Sequence, residues 1–194
     1  MTIRVGIGGW TYEPWRGVFY PEGLPQKHEL EFAAQHLTTI EINSTFYGRQ
    51  TRESFAAWAK AAPDGFKFSV KASQYATARK VLVDGGDSIT KFLEQGFTEL
   101  GDKLGPINWQ FRATKQFDHD DFARFLDLIP DAQDGMPLRH VLEPATRLFA
   151  IRRSMRWPAR ATWRSFSPMA VPIPASTRRP PTSRMPACKG RSSG

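Results

Sequence analysis

Thr39-Ile40-Glu41-Ile42-Asn43-Ser44-Thr45-Phe46-Tyr47 is the stretch that decides the fold. In a strand, successive side chains alternate faces, so Ile40 and Ile42 point one way and Thr39, Glu41 and Asn43 the other. Two isoleucines on one face suit a sheet covered by helices. A carboxylate and an amide on the opposite face need polar company, because burying an unpaired carboxylate costs several kcal/mol. The expectation is a buried strand whose inner face opens into a polar pocket.

Upstream, Ile3 to Gly8 alternates apolar residues with Arg4, Gly6 and Gly8, an inner face left nearly bare so that another group can approach the backbone. A loop with five aromatics follows, from Gly9 through Trp10, Tyr12, Trp15, Phe19 and Tyr20 to Pro21. It reads either as a lid packed over one end of the domain or as a surface for stacking on a sugar or base. Helical spacing covers His28 to Leu37, then Thr51 to Ala62 with Thr51 as N-cap, Asp87 to Leu104, and Asp118 to Leu128. Alternation marks strands at 66–72, 105–111 and 138–143. Strands starting near 3, 38, 66, 107 and 138, each followed by helix, argue for parallel strands with crossover helices.

That pattern fits a doubly wound sheet or the first part of an eight-stranded barrel. No Gly-x-Gly-x-x-Gly follows the first strand and no Walker lysine loop exists, so the expected class is α/β, a partial TIM-type (β/α) barrel of about five βα units. The expected boundaries are 1–143 for the barrel and 144–194 for a disordered tail rich in Arg, Pro and Ser.

Charge divides the chain at the same place. Residues 1–143 hold nineteen acidic and sixteen basic side chains, a net of −3, whereas the last 51 residues carry eleven basic side chains and no acid. The overall +8 is therefore a property of the tail. One cysteine, Cys188, excludes a disulfide framework, and no apolar run is long enough to span a membrane. A reducing cytoplasm is the expected location, with no leader ahead of the first strand.

Barrel chemistry sits at the C-terminal ends of the strands. Those ends supply Glu41, Lys71 and Glu143 as candidate catalytic groups: two carboxylates for acid–base work or metal ligation, and a lysine to hold an anion. Trp10, Tyr12, Trp15, Asn43, Tyr47, Gln110 and Arg112 are the candidate ligand-binding residues. The competing reading pairs Glu41 and Lys71 as a purely structural ion pair. The four histidines form no close metal pair, so only carboxylates would support a metal, and no motif names a cofactor. His140, opposite in parity to Glu143, is expected to pack beneath the helices. A polar or anionic small molecule is the expected ligand, with nucleic-acid binding through the tail the weaker alternative.

Three motifs together carry a resemblance. Gly9-Trp10-x-Tyr12-x-x-Trp15-x-Gly17-x-Phe19-Tyr20-Pro21, Glu41-x-Asn43-x-Thr45-Phe46-Tyr47 and Phe66-x-Phe68-x-Val70-Lys71-Ala72 resemble the YecE-like family of domains of unknown function (number seventy-two). The resemblance covers roughly residues 3 to 143 and implies a TIM-type barrel; it implies no established reaction. After Lys71 the chain departs from the Thr-His pair expected there and reads Gln74-Tyr75-Ala76-Thr77-Ala78. From Pro144 the sequence loses its alternation, and a frameshift near Glu143 is expected: with a CGN codon at Arg164 and TCN codons at Ser165 and Ser167, a one-base shift across Thr162 to Ala170 yields an apolar run resembling a sixth strand. Without the last strands the chain is expected to be inactive and prone to aggregate at its open edges.

Overall fold

Apolar residues at every second position build the sheet, and the helices between them bury one of its faces. The computed structural model describes residues 3–144 and 164–165. The strands are β1 (Gly6–Gly8), β2 (Thr39–Ile42), β3 (Lys67–Lys71), β4 (Leu104–Phe111), a short antiparallel pair β5 (Ala132–Gln133) and β6 (Met136–Pro137), then β7 (His140–Pro144) and β8 (Arg164–Ser165). The main sheet runs in the order β1-β2-β3-β4-β7-β8 with every pairing parallel. Sequential order with helical crossovers is the arrangement of a partial TIM-type barrel. The expected disorder of the tail falls outside the described residues, except that Arg164 and Ser165 pair with Val141 and Leu142 and so are strand.

The helices are α1 (Glu29–His36), α2 (Ser44–Tyr47), α3 (Arg52–Ala61), α4 (Gln74–Thr77), α5 (Gly86–Leu93) and α6 (His119–Asp127). Caps set their starts. The Thr51 hydroxyl accepts from the Ser54 N–H ahead of α3, and the Asp118 carboxylate accepts from the Asp121 N–H at 2.9 Å ahead of α6.

One expected helix divides in two. The stripe Ile89, Phe92, Leu93, Phe97 and Leu100 is buried as its spacing required, but α5 stops at Leu93 and a 3-10 segment covers Phe97–Lys103. Gly96, at φ +92°, forces the break, and a Cβ there would come within 2.3 Å of the Arg52 side chain. The strand expected to run through Asn43 ends instead at Ile42, because Asn43 turns into the αR region and starts α2.

Ile40, Ile42, Phe68, Val70, Ile107, Trp109 and Phe111 are fully buried on the helix-facing side of the sheet. Trp109 is the centre of that layer, edge-on to Phe92 of α5 at 5.7 Å and to Phe125 of α6 at 5.6 Å. Its indole N–H donates to Nδ1 of His140 at 3.1 Å, while His140 Nε2 lies 2.9 Å from the Pro130 carbonyl. A proton on Nε2 satisfies both contacts, so the neutral ring is the form that fits.

Burial pushes the His140 pKa below its ordinary 6.5, against the opposing pull of the Pro130 carbonyl and Asp131. The unfolded chain then binds a proton the folded chain refuses, so this contribution is present above pH 6.5 and lost as the pH falls from there through the lower folded-state value. Thermal melts at pH 7.5 and 5.5 are expected to show lower stability at pH 5.5, and the His140 ring resonances to titrate with a midpoint below 6.5. A ring that titrates at 6.5 would contradict the burial argument.

Candidate functional site

Parallel register assembles the site. Gly8 lies beside Glu41 and Glu41 beside Ser69; Lys71 lies beside Asn108, and Gln110 beside Glu143. Register partners in parallel strands share a face, so these residues form staggered rows on the inner side of the sheet.

Asn108 joins the two carboxylates. Its Nδ2 donates to Oε1 of Glu41 at 2.8 Å and to Oε2 of Glu143 at 2.7 Å. One amide nitrogen with two hydrogens held in a plane sets the two acceptor oxygens about 5 Å apart. The reverse amide orientation would place an oxygen against both carboxylates, so the assignment is fixed by charge. Gln110 Nε2 donates to the other oxygen of Glu143 at 2.9 Å, which leaves Glu143 held on both sides.

Glu41 is less confined. Its Oε2 lies 3.8 Å from Lys71 Nζ, longer than a direct charge-assisted hydrogen bond, and both side chains keep some exposure, 23% and 15%. Lys71 also sits over the ring of Phe46, 5.2 Å from its centroid. The backbone at the end of β3 is anchored by Thr45, whose buried hydroxyl contacts the Lys71 carbonyl at 2.6 Å and the Ile42 carbonyl at 3.0 Å. The ion pair expected between Glu41 and Lys71 is thus present, but it is loose and opens to solvent.

The glycines make room on the β1 side. A Cβ at Gly8 would fall 3.1 Å from Nδ2 of Asn43 and 3.7 Å from Oε2 of Glu41; Gly9, at φ +78°, would meet the Tyr12 hydroxyl and Asn43. The bare inner face of β1 is therefore occupied by the Asn43 amide. Oδ1 of Asn43, Oγ of Ser44 and Oδ1 of Asn108 are buried and find no hydrogen-bond partner among the described residues. Buried acceptors of this kind usually mark where water or a ligand supplies the donor.

The aromatic candidates separate. Tyr12 reaches the site through its hydroxyl, which donates to the Gly8 carbonyl. Trp10 packs edge-on against Trp58 of α3 at 5.4 Å, and Trp15 lies in a ring cluster with Tyr12, Phe19 and Tyr20 that continues into Phe32 of α1. Tyr47 stands 69% exposed on α2, and Arg112 is exposed just past the end of β4. Register thus brings together Glu41, Asn43, Lys71, Gln110 and Glu143; Trp15, Tyr47 and Arg112 lie in other surroundings. Asn108 escaped the sequence reading, although its place between Ile107 and Trp109, two residues before Gln110, puts it on the same polar face. Among the described residues, no three His, Cys, Asp or Glu side chains gather to hold a metal ion.

Two crystal structures share the fold: a DUF72 family protein from Enterococcus faecalis V583, with a TM-score of 0.59 and 22% identity over 77% of this chain and 53% of the other, and one from Thermotoga maritima MSB8, with a TM-score of 0.57 and 22% identity over 77% and 58%. The chain spans somewhat over half the length of these relatives. No curated protein matches it. The sequence model described as "Protein of unknown function DUF72" matches residues 4–158, and the chain accordingly belongs to the DUF72 family.

Proposed function

We propose that this barrel face is the acid–base centre of an enzyme acting on a polar small molecule. The single observation that carries the reading is the Asn108 amide held between two carboxylates, one locked and one loose. Glu143, bonded on both oxygens, positions. Glu41, with an oxygen facing only a distant ammonium, is the group free to take a proton from a ligand, and Lys71 balances the charge that develops. The buried acceptors on Asn43 and Asn108 select ligands rich in donors, which points to a polyhydroxylated compound.

The test is solvent exchange. Proton NMR in D2O of a panel of hydroxy-carbonyl compounds is expected to show loss of a carbon-bound proton signal with the frame-restored protein, and none with the present chain. Glu41→Gln is expected to reduce the exchange rate by about a hundredfold or more while ligand affinity stays within a few-fold. An unchanged rate in that variant would remove Glu41 from the chemistry. Ligand binding with no exchange in either protein would favour the alternative, a non-catalytic binder using Tyr12 and the polar pocket.

No helix among the described residues is long and apolar enough to cross a membrane, and we place the protein in a reducing cytoplasm on the strength of its lone Cys188. The acid-free run after Pro144 supports a one-base slip in the coding sequence. Resequencing that junction, where the shifted frame is expected to restore alternating strands and helices, decides which protein the exchange assay should use.

A further inference from the structure

The loops that follow β3 and β4 line an open pocket, of about 520 Å³, outside the carboxylate cluster. Four cations line it, Arg79, Lys80, Arg112 and Lys115, with Thr114 beside them and Asp118 as the one carboxylate. A quarter of the basic residues of a segment whose net charge is −3 therefore converge on one small space.

Two of the four are structural. Lys115 Nζ bonds the Asp121 carboxylate at 2.9 Å and the Lys80 carbonyl at 2.7 Å, and the turn from Arg112 O to Lys115 N closes at 3.0 Å, so the two loops are tied together. Asp121 in turn accepts from the N–H groups of Leu82 and Val83. Arg79 is held by the Tyr75 carbonyl and the Ser88 hydroxyl. The side chains of Arg112 and Lys80 have neither a hydrogen bond nor an ion pair with any described residue. A fixed wall thus presents two cations with no direct ion pair among the described residues, Asp118 being the one carboxylate that shares the space.

We infer that this cavity binds a phosphate monoester group, the anionic end of the small molecule whose other end reaches Glu41 and Lys71. A guanidinium fork with an ammonium and a threonine hydroxyl suits a tetrahedral dianion with several acceptor oxygens. The volume exceeds that of a bare ion and lies within the usual range of small-molecule sites. Arg112 stands four residues past Asn108, just beyond the end of β4 and at most about 13 Å away along an extended chain, toward the C-terminal side where barrels take up such groups. The link to Glu41 rests on the acid–base reading; the anion site does not.

Inorganic phosphate titrated calorimetrically into the full chain is the test. The Lys80→Gln/Arg112→Gln double variant is expected to lose at least tenfold in affinity with an unchanged melt, since neither side chain holds the fold. Arg178→Gln/Arg179→Gln, which removes the same charge from the tail, is expected to bind as the parent does. Equal affinity in the pocket variant and the parent overturns the site. So does a pocket variant that loses binding of a single-stranded oligonucleotide but not of phosphate, which would assign the cavity to a nucleic-acid backbone. Glu41→Gln is expected to bind phosphate normally, so failure of the acid–base reading leaves this result standing.

Discussion

Asn108→Asp is expected to destabilise the protein by about 3–5 kcal/mol at pH 8 and to abolish turnover. The substitution removes two hydrogen bonds donated to carboxylates, each contributing about 1.5–3 kcal/mol. It also sets a third negative charge between Glu41 and Glu143, where the amide nitrogen now stands 2.8 and 2.7 Å from their oxygens. Like charges that close cannot all ionise cheaply. Against a total stability of about 5–15 kcal/mol the loss is severe. The sign with pH identifies the cause: protonation relieves crowded like charges, so the gap between variant and parent is expected to narrow as the pH falls. Urea melts at pH 8 and pH 5 measure it. A gap independent of pH would mean that packing, not charge, is what Asn108 supplies.

Trp109→Ala is expected to cost about 3–5 kcal/mol, the usual range for emptying a buried aromatic site. The ring is fully buried, wedged between α5 and α6 through Phe92 and Phe125, so no exposed segment can collapse into the space. Trp109→Phe separates two contributions. It keeps most of the apolar contact but leaves Nδ1 of His140 without the indole donor, and about 1–3 kcal/mol is expected from that change. The phenylalanine variant should also shift the pH dependence of the melt, because His140 then loses a partner that favours its neutral ring. Equal stability of the two variants would show that the indole N–H contributes nothing.

The sheet was legible because its outer face repeats strictly: Ile40 and Ile42, Phe68 and Val70, Ile107, Trp109 and Phe111 all fall on one parity and all are buried. The same parity placed Glu41, Lys71, Gln110 and Glu143 on the inner side. What it could not give was register. Whether Lys71 stands beside Asn108 or beside Gln110 depends on where β4 starts, and β3 and β4 are offset by an irregularity between Phe68 and Val70. Asn108 became visible as the bridge only once that offset was known. Hydrophobic spacing also carried straight through Gly96, since the stripe stays buried across the break; the left-handed turn leaves no trace in apolar periodicity. The aromatic loop defeated the reading for another reason. Large rings pack or bind with equal ease, and only the contacts distinguish Trp10 and Trp15, against Trp58 and Phe19, from Tyr12 at Gly8.

The sequential strand order has a kinetic consequence. Each new strand up to β7 pairs with the preceding strand of the main sheet, so every step closes a loop of roughly thirty residues and none needs the far end of the chain. The sheet can therefore grow from its N-terminal side as the chain is synthesised, each finished strand templating the next. Glu41 and Lys71 come into place early by this route, and Asn108 arrives with β4. Until β7 docks, that amide has only one carboxylate to hold, so β7 supplies the second carboxylate and becomes the edge to which β8 adds.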